Sequence, residues 1–139
     1  MSSLDSRLLA QLKEVLKDFD PARLTAEICA LGETWADNDA AASGYEESRK
    51  SVLANLVLEH AQGGRPGPNG SVKPVPYTQA EQQALADGRY RAHLDLMVEA
   101  RRAAHIARVR YDMGKMRLEL TRSLQATMRQ EMHMTSSTR

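Results

Sequence analysis

Residues 90–124, YRAHLDLMVEARRAAHIARVRYDMGKMRLELTRSL, contain no proline and repeat every seven positions. Tyr90, Met97, Ala104, Tyr111 and Leu118 form one series; His93, Ala100, Ala107, Gly114 and Thr121 interleave with it at steps of three and four. This is the spacing of a helix seam buried against another helix. Small side chains are frequent in it, so a partner backbone can come close. A second apolar series, Ile106, Val109, Met113, Met116 and Leu120, lies on another side of the same helix. Two apolar faces predict burial from two directions. An isolated hairpin covers only one, which predicts a bundle of several helices assembled by homo-oligomerisation.

Working outward, Thr78-Gln79-Ala80-Glu81 has the form of a capping box. No proline follows it, so a single basic helix is expected over 78–133, with Gly88 and Gly114 as soft points and 134–139 as a disordered tail. At about 1.5 Å per residue such a helix spans roughly 80 Å and needs a long partner. Upstream, GGRPGPNGSVKPVPY (63–77) carries four prolines and breaks any helix. It reads as a loop or spacer, or as a Pro-rich recognition ligand.

Before it, 20–62 reads as a second long helix, opened by Asp20 as N-cap and Pro21 at the first helical position. Its heptad series are Leu24, Leu31, Asn38, Tyr45, Val52 and Ile28, Trp35, Ala42, Arg49, Leu56. Gly32, Gly44 and Asp37-Asn38-Asp39 weaken helix propensity and predict a kink near 37–44. Residues 1–19 read as a short amphipathic helix with Leu8, Leu12, Val15 and Phe19 in helical spacing. The expected fold is all-α: a long antiparallel helical hairpin with a short N-terminal helix, coiled-coil-like, within an oligomeric helical bundle.

Composition agrees with a helical reading. The chain has 139 residues, 42% hydrophobic but only 4% aromatic, so Leu, Ala, Val and Met must fill the core. Net charge is +1, but it is unevenly spread. Residues 1–62 hold six Lys/Arg and eleven Asp/Glu; residues 78–139 hold eleven Lys/Arg and seven Asp/Glu. The halves either neutralise each other or leave an anion-binding face on the second. The one cysteine, Cys29, excludes an internal disulfide, and its apolar neighbours suggest a buried thiol. The first residues lack an uninterrupted apolar run, which argues against a signal peptide, and no stretch reaches the length of a membrane span. A cytoplasmic location is expected.

Arg101, Arg108, Lys115, Arg122 and Arg129 recur at intervals of seven and form a stripe flanking the small-residue seam. Arg102, Arg110 and Arg117 lie elsewhere on the helix. The stripe can pair with acids on a neighbouring helix, with Glu27, Glu33, Asp37, Glu46, Glu47 and Glu59 as candidates. Alternatively it can track phosphates, giving salt-sensitive, sequence-independent binding to single- or double-stranded DNA. Asn38, Arg49 and His93 interrupt the seams as candidate buried polar residues that fix register or oligomer state. If buried, Arg49 needs an acid such as Asp95 or Glu99.

Catalytic and metal-binding patterns are missing from the sequence. His60, His93, His105 and His133 have no metal-ligand spacing, and GGRPGPNG lacks the Gly-Lys-Ser/Thr ending of a phosphate loop. His60 reads as a cation at a helix C-terminus. Neither enzymatic activity nor a cofactor is expected.

YEESRKSVLANLVLEHA (45–61) and residues 90–132 resemble a group of small helical tailed-phage and prophage proteins encoded near recombination and single-strand-binding genes. The shared elements are Tyr-x-x-x-Arg before an apolar helix, then Glu-Ala-Arg-x-Ala followed by Arg-x-Arg-Tyr. The resemblance implies a non-enzymatic accessory protein of phage DNA recombination or replication in the bacterial cytoplasm. Its partners would be nucleic acid, a recombination protein or both. The alternative is a protein-only interaction module, an assembly scaffold or an inhibitor of a host enzyme.

Overall fold

A computed structural model describes residues 3–63, 65–66, 70 and 72–137. Four helices dominate: α1 (Ser3–Leu16), α2 (Pro21–Gly63), α3 (Tyr77–Leu85) and α4 (Gly88–Ser137). Between α2 and α3, β1 (Arg65–Pro66) and β2 (Val72–Lys73) form a two-residue antiparallel pair. The chain is all-α in character, and its two long helices pack against each other as an antiparallel hairpin. It divides into two compact units: residues up to Trp35 with those from Ala107 onward, and Ala36–Ile106.

In the unit from Ala36 to Ile106, contacts between α2 and α4 run in opposite chain directions. His60 meets Asp87, Glu59 meets Arg89, Ser48 approaches His93, and Glu46 meets Arg101. The core joins Leu56 and Val57 of α2, Val75, Ala80 and Ala84 of α3, and Tyr90 of α4. Burying an aliphatic side chain of this size contributes about 1.5–3 kcal/mol. Val75 ties the connection down: its side chain is buried and its N–H donates to the Ala61 carbonyl at 3.3 Å. The end of the 63–77 segment is therefore packed structure rather than a free spacer.

The unit containing the termini closes α2 on α4 through small residues. Gly114 lies where an added Cβ would sit 3.3 Å from Ile28 Cγ1 and Leu31 Cδ1. Gly32 faces the Tyr111 ring, and Trp35 stacks on Tyr111 with centroids 5.6 Å apart. α1 stops at a turn over Lys17–Asp18, and Asp20 then caps α2 by accepting the N–H groups of Ala22 and Arg23. On α1 the packing side is Leu9, Leu12 and Leu16; Leu8 and Val15, expected on the apolar face, are exposed.

Several expectations need correction. The helix expected over 78–133 is two helices, separated at Ala86–Asp87. Asp87 Oδ1 accepts the Arg89 N–H at 2.8 Å, so Asp87 caps α4 and starts a new helix with Gly88 at its first position. Thr78 caps nothing, since α3 starts one residue earlier behind Pro76 with no side-chain cap. Of the expected tail 134–139, residues 134–137 belong to α4, while 138–139 lie outside the described residues. α2 stays helical through 37–44, the segment in which a kink is expected. Cys29 is exposed, because it sits beside Ile28 on the outer side of α2.

A candidate interaction surface on α4

The seam residues of α4 occupy the side facing α2. In the Ala36–Ile106 unit, Tyr90 and Ala104 are buried, and His93, Met97 and Ala100 half-buried. In the other unit, Ala107 is buried, and Tyr111, Gly114, Leu118 and Thr121 half-buried. α2 follows a different period. From Ala42 to His60 its covered side runs through Ala42, Tyr45, Ser48, Val52, Leu56 and His60, with Ser43, Leu53 and Val57 also covered beside it. Those five steps span eighteen residues, the period of about 3.6 of an unsupercoiled helix rather than 3.5.

That drift rotates Arg49 out of the seam and Ser48 into it. Arg49 is exposed, which corrects its assignment as a buried polar residue, and it forms no ion pair with Asp95 or Glu99. Asn38 is half-buried. His93, also half-buried, places Nε2 2.9 Å from the Tyr45 carbonyl and 3.4 Å from Ser48 Oγ. A carbonyl can only accept, so Nε2 carries the hydrogen.

The basic stripe is not uniform. Arg101 is fully committed: Nε and Nη2 donate to Glu46, and Nη1 donates to Asp39 Oδ1 at 2.7 Å. Hydrogen bonding from Arg101 holds the Glu46 carboxyl below its usual range, and the two acids raise the Arg101 guanidinium. Arg108 lies over Trp35, 5.7 Å from the ring centroid, and Lys115 over Tyr111 at 4.7 Å. Arg108 and Lys115 also approach Asp112 at 3.9 and 3.7 Å. Arg122 and Arg129 are exposed and make no ion pair among the described residues. So Arg101 takes the acid-pairing role, Arg108 and Lys115 pack on the two stacked aromatics, and only the last two cations stand clear.

Among the described residues, one apolar row on α4 is left exposed. Val109, Met113, Met116 and Leu120 are 56–67% exposed within one unit. Ile106, in the other, is 43% exposed. Among the described residues, Ile106, Met113 and Leu120 thus belong to no packing seam. Arg110 and Arg117 flank the row on one side, Asp112 and Glu119 on the other. Four apolar side chains in consecutive helical turns make a continuous strip, unlike isolated surface hydrophobics.

A polar cluster unannounced by spacing sits at the α3–α4 break. Arg89 donates to both Glu59 oxygens and to Asp87, while the His60 Nε2–H donates to Asp87 Oδ2 at 2.8 Å. His60 is therefore tied to a carboxylate, not aimed at helix-end carbonyls. The Asp87 carboxyl, 12% exposed, is held far below its usual range, chiefly by hydrogen bonds from Arg89. The signal available in the sequence was Asp87-Gly88, a turn dipeptide preceding a helix. These groups pair with one another across the α3–α4 break.

Among the described residues, no group of three or more His, Cys, Asp or Glu could hold a metal ion, and no helix is long and apolar enough to cross a membrane. No family model, curated protein or solved structure matches the chain.

Proposed function

We propose that this protein is a non-catalytic interaction module in which α2 and its neighbours hold α4 by one side and present the other to a protein partner. The observation that supports it is the exposed row Val109, Met113, Met116 and Leu120 opposite the closed seam. Burying such side chains drives association, and flanking charges select the partner. The resemblance to small tailed-phage helical proteins supports an accessory role in phage DNA recombination or replication.

A photo-crosslinking residue at Met113 tests the reading in cells expressing the full chain. Capture of a polypeptide from position 113, and not from buried Ala104, is expected. No capture from position 113 overturns it.

A second reading is direct nucleic-acid binding. It is supported by Arg102, Arg110, Arg117, Arg122 and Arg129, five exposed cations of α4 without ion pairs among the described residues. Gel shifts with single- and double-stranded DNA at rising salt test it. Each phosphate contact adds roughly 0.7–0.9 to the log–log salt slope, so losing Arg122 and Arg129 should flatten it by one to two. No shift at low ionic strength removes this reading.

A further inference from the structure

Resting on the interaction-module reading, we infer that the partner on the outer row of α4 is a second copy of this chain, docked in parallel. The row has coiled-coil register. Val109 and Met116 fall at one core position (d), Met113 and Leu120 at the other (a), with steps of four, three and four. The flanks then separate by sign. Arg110 and Arg117 follow the d residues; Asp112 and Glu119 precede the a residues.

This arrangement selects direction. In a parallel pair, the flank preceding a core position faces the opposite flank of the partner helix, five residues further on. Asp112 then faces Arg117 of the second copy, and two-fold symmetry makes the contact twice. In an antiparallel pair like flanks meet: Arg110 would oppose Arg117, and Asp112 would oppose Glu119. Repulsion on both sides disfavours that register.

The groups needed are available. Arg117 is exposed and makes no ion pair among the described residues, although Asp18, Asp20 and Glu27 border the same cleft. Asp112 is 50% exposed, and its contacts to Arg108 and Lys115 are long, at 3.9 and 3.7 Å. Met at two of the four core positions suits a surface that is wet in the monomer and packed in the dimer. The strip is two heptads long, so the dimer is modest in strength, with Kd of about micromolar order.

Sedimentation equilibrium of the full chain tests the inference. Wild type should pass from monomer to dimer over about 1–100 μM. Arg117→Glu should raise Kd at least about tenfold, and Asp112→Arg combined with Arg117→Asp should recover dimerisation. Circular dichroism confirms that each variant keeps its helices. In a Cys29→Ser background, Val109→Cys and Leu120→Cys should each form disulfide-linked dimers, because identical core residues face each other only in a parallel pair.

A wild-type monomer at about 100 μM overturns the inference. So does a dimer in which neither cysteine cross-links, or one indifferent to Arg117→Glu. If the chain is monomeric but position 113 captures a different polypeptide, the second copy falls and the interaction module stands. If position 113 captures nothing, both fall.

Discussion

Arg101 meets Glu46 in a two-point contact, Nε to Oε1 at 2.8 Å and Nη2 to Oε2 at 2.9 Å, while its remaining amine reaches Asp39. A planar fork is required for this; an ammonium cannot serve three oxygens on two residues with the same geometry. Arg101→Lys should therefore lower Tm nearly as much as Arg101→Ala, whereas Arg102→Ala, at an exposed neighbour without an ion pair among the described residues, should leave Tm unchanged. Thermal melts followed by circular dichroism check this.

Acid should destabilise the hairpin through two carboxylates. Glu46 and Asp87 both titrate below their ordinary values, near 4.5 and 3.8, in the folded chain. A carboxyl depressed by folding contributes stability above its unfolded pKa and loses it as pH falls toward the folded one. Stability should decline below about pH 5 as these groups protonate first in the unfolded chain. Asp87→Asn should be less stable at pH 7 and show a shallower decline. An unchanged slope would disconnect Asp87 from the acid transition.

Three glycines in long helices should respond differently to alanine. At Gly44 nothing lies within 4 Å of an added Cβ, so Gly44→Ala should stabilise by about 0.5–1 kcal/mol, or roughly 2–5 °C in Tm. At Gly32 the new Cβ would be 3.2 Å from the Tyr111 ring, a rigid neighbour, and Gly32→Ala should destabilise. Gly114→Leu should cost about 1–3 kcal/mol by overpacking against Ile28 and Leu31. Denaturant titrations rank the three.

Trp35 is the single tryptophan, so its fluorescence reports on its packing alone. Arg108 caps its outer side and Tyr111 stacks on it. Arg108→Ala should change the emission of the folded chain and cost about 0.5–1 kcal/mol. Trp35→Ala should cost about 2–3 kcal/mol. An emission spectrum indifferent to Arg108→Ala would refute the contact.

The parts legible in the sequence were those set by a strict repeat. Tyr90, Met97, Ala104, Tyr111 and Leu118, and the series interleaved with them, all turned to the covered side of α4, because a 3.5-residue repeat can face only one way along a helix. Asp20-Pro21 announced the start of α2 by cap chemistry. The same template puts Arg49 in the seam, whereas the covered side of α2 passes from Tyr45 through Ser48 to Val52 and leaves Arg49 exposed. The break at Ala86–Asp87 escapes a reading that takes a proline-free run as continuous, because the aspartate before Gly88 is itself a helix start.

At the candidate surface, the sequence identified two apolar faces on α4 but could not say which one the chain covers itself. That depended on where α2 lies. The roles of the stripe were equally hidden. Arg101, Arg108 and Lys115 share a heptad position, yet one finds carboxylates and two find aromatic rings; the partners of Arg101 and Arg108 lie 55 to 73 positions away on α2, while Lys115 rests on Tyr111 of its own helix.

Native-state alkylation of two single cysteines, Ala107→Cys and Met113→Cys in a Cys29→Ser background, tests the covered and open sides of α4 most directly. Both belong to the same unit, and at nanomolar concentration a micromolar self-association is absent. Met113→Cys should label at nearly the rate of an unfolded chain and Ala107→Cys at least about a hundredfold more slowly. Equal rates at the two positions would contradict the assignment of one closed side and one open side.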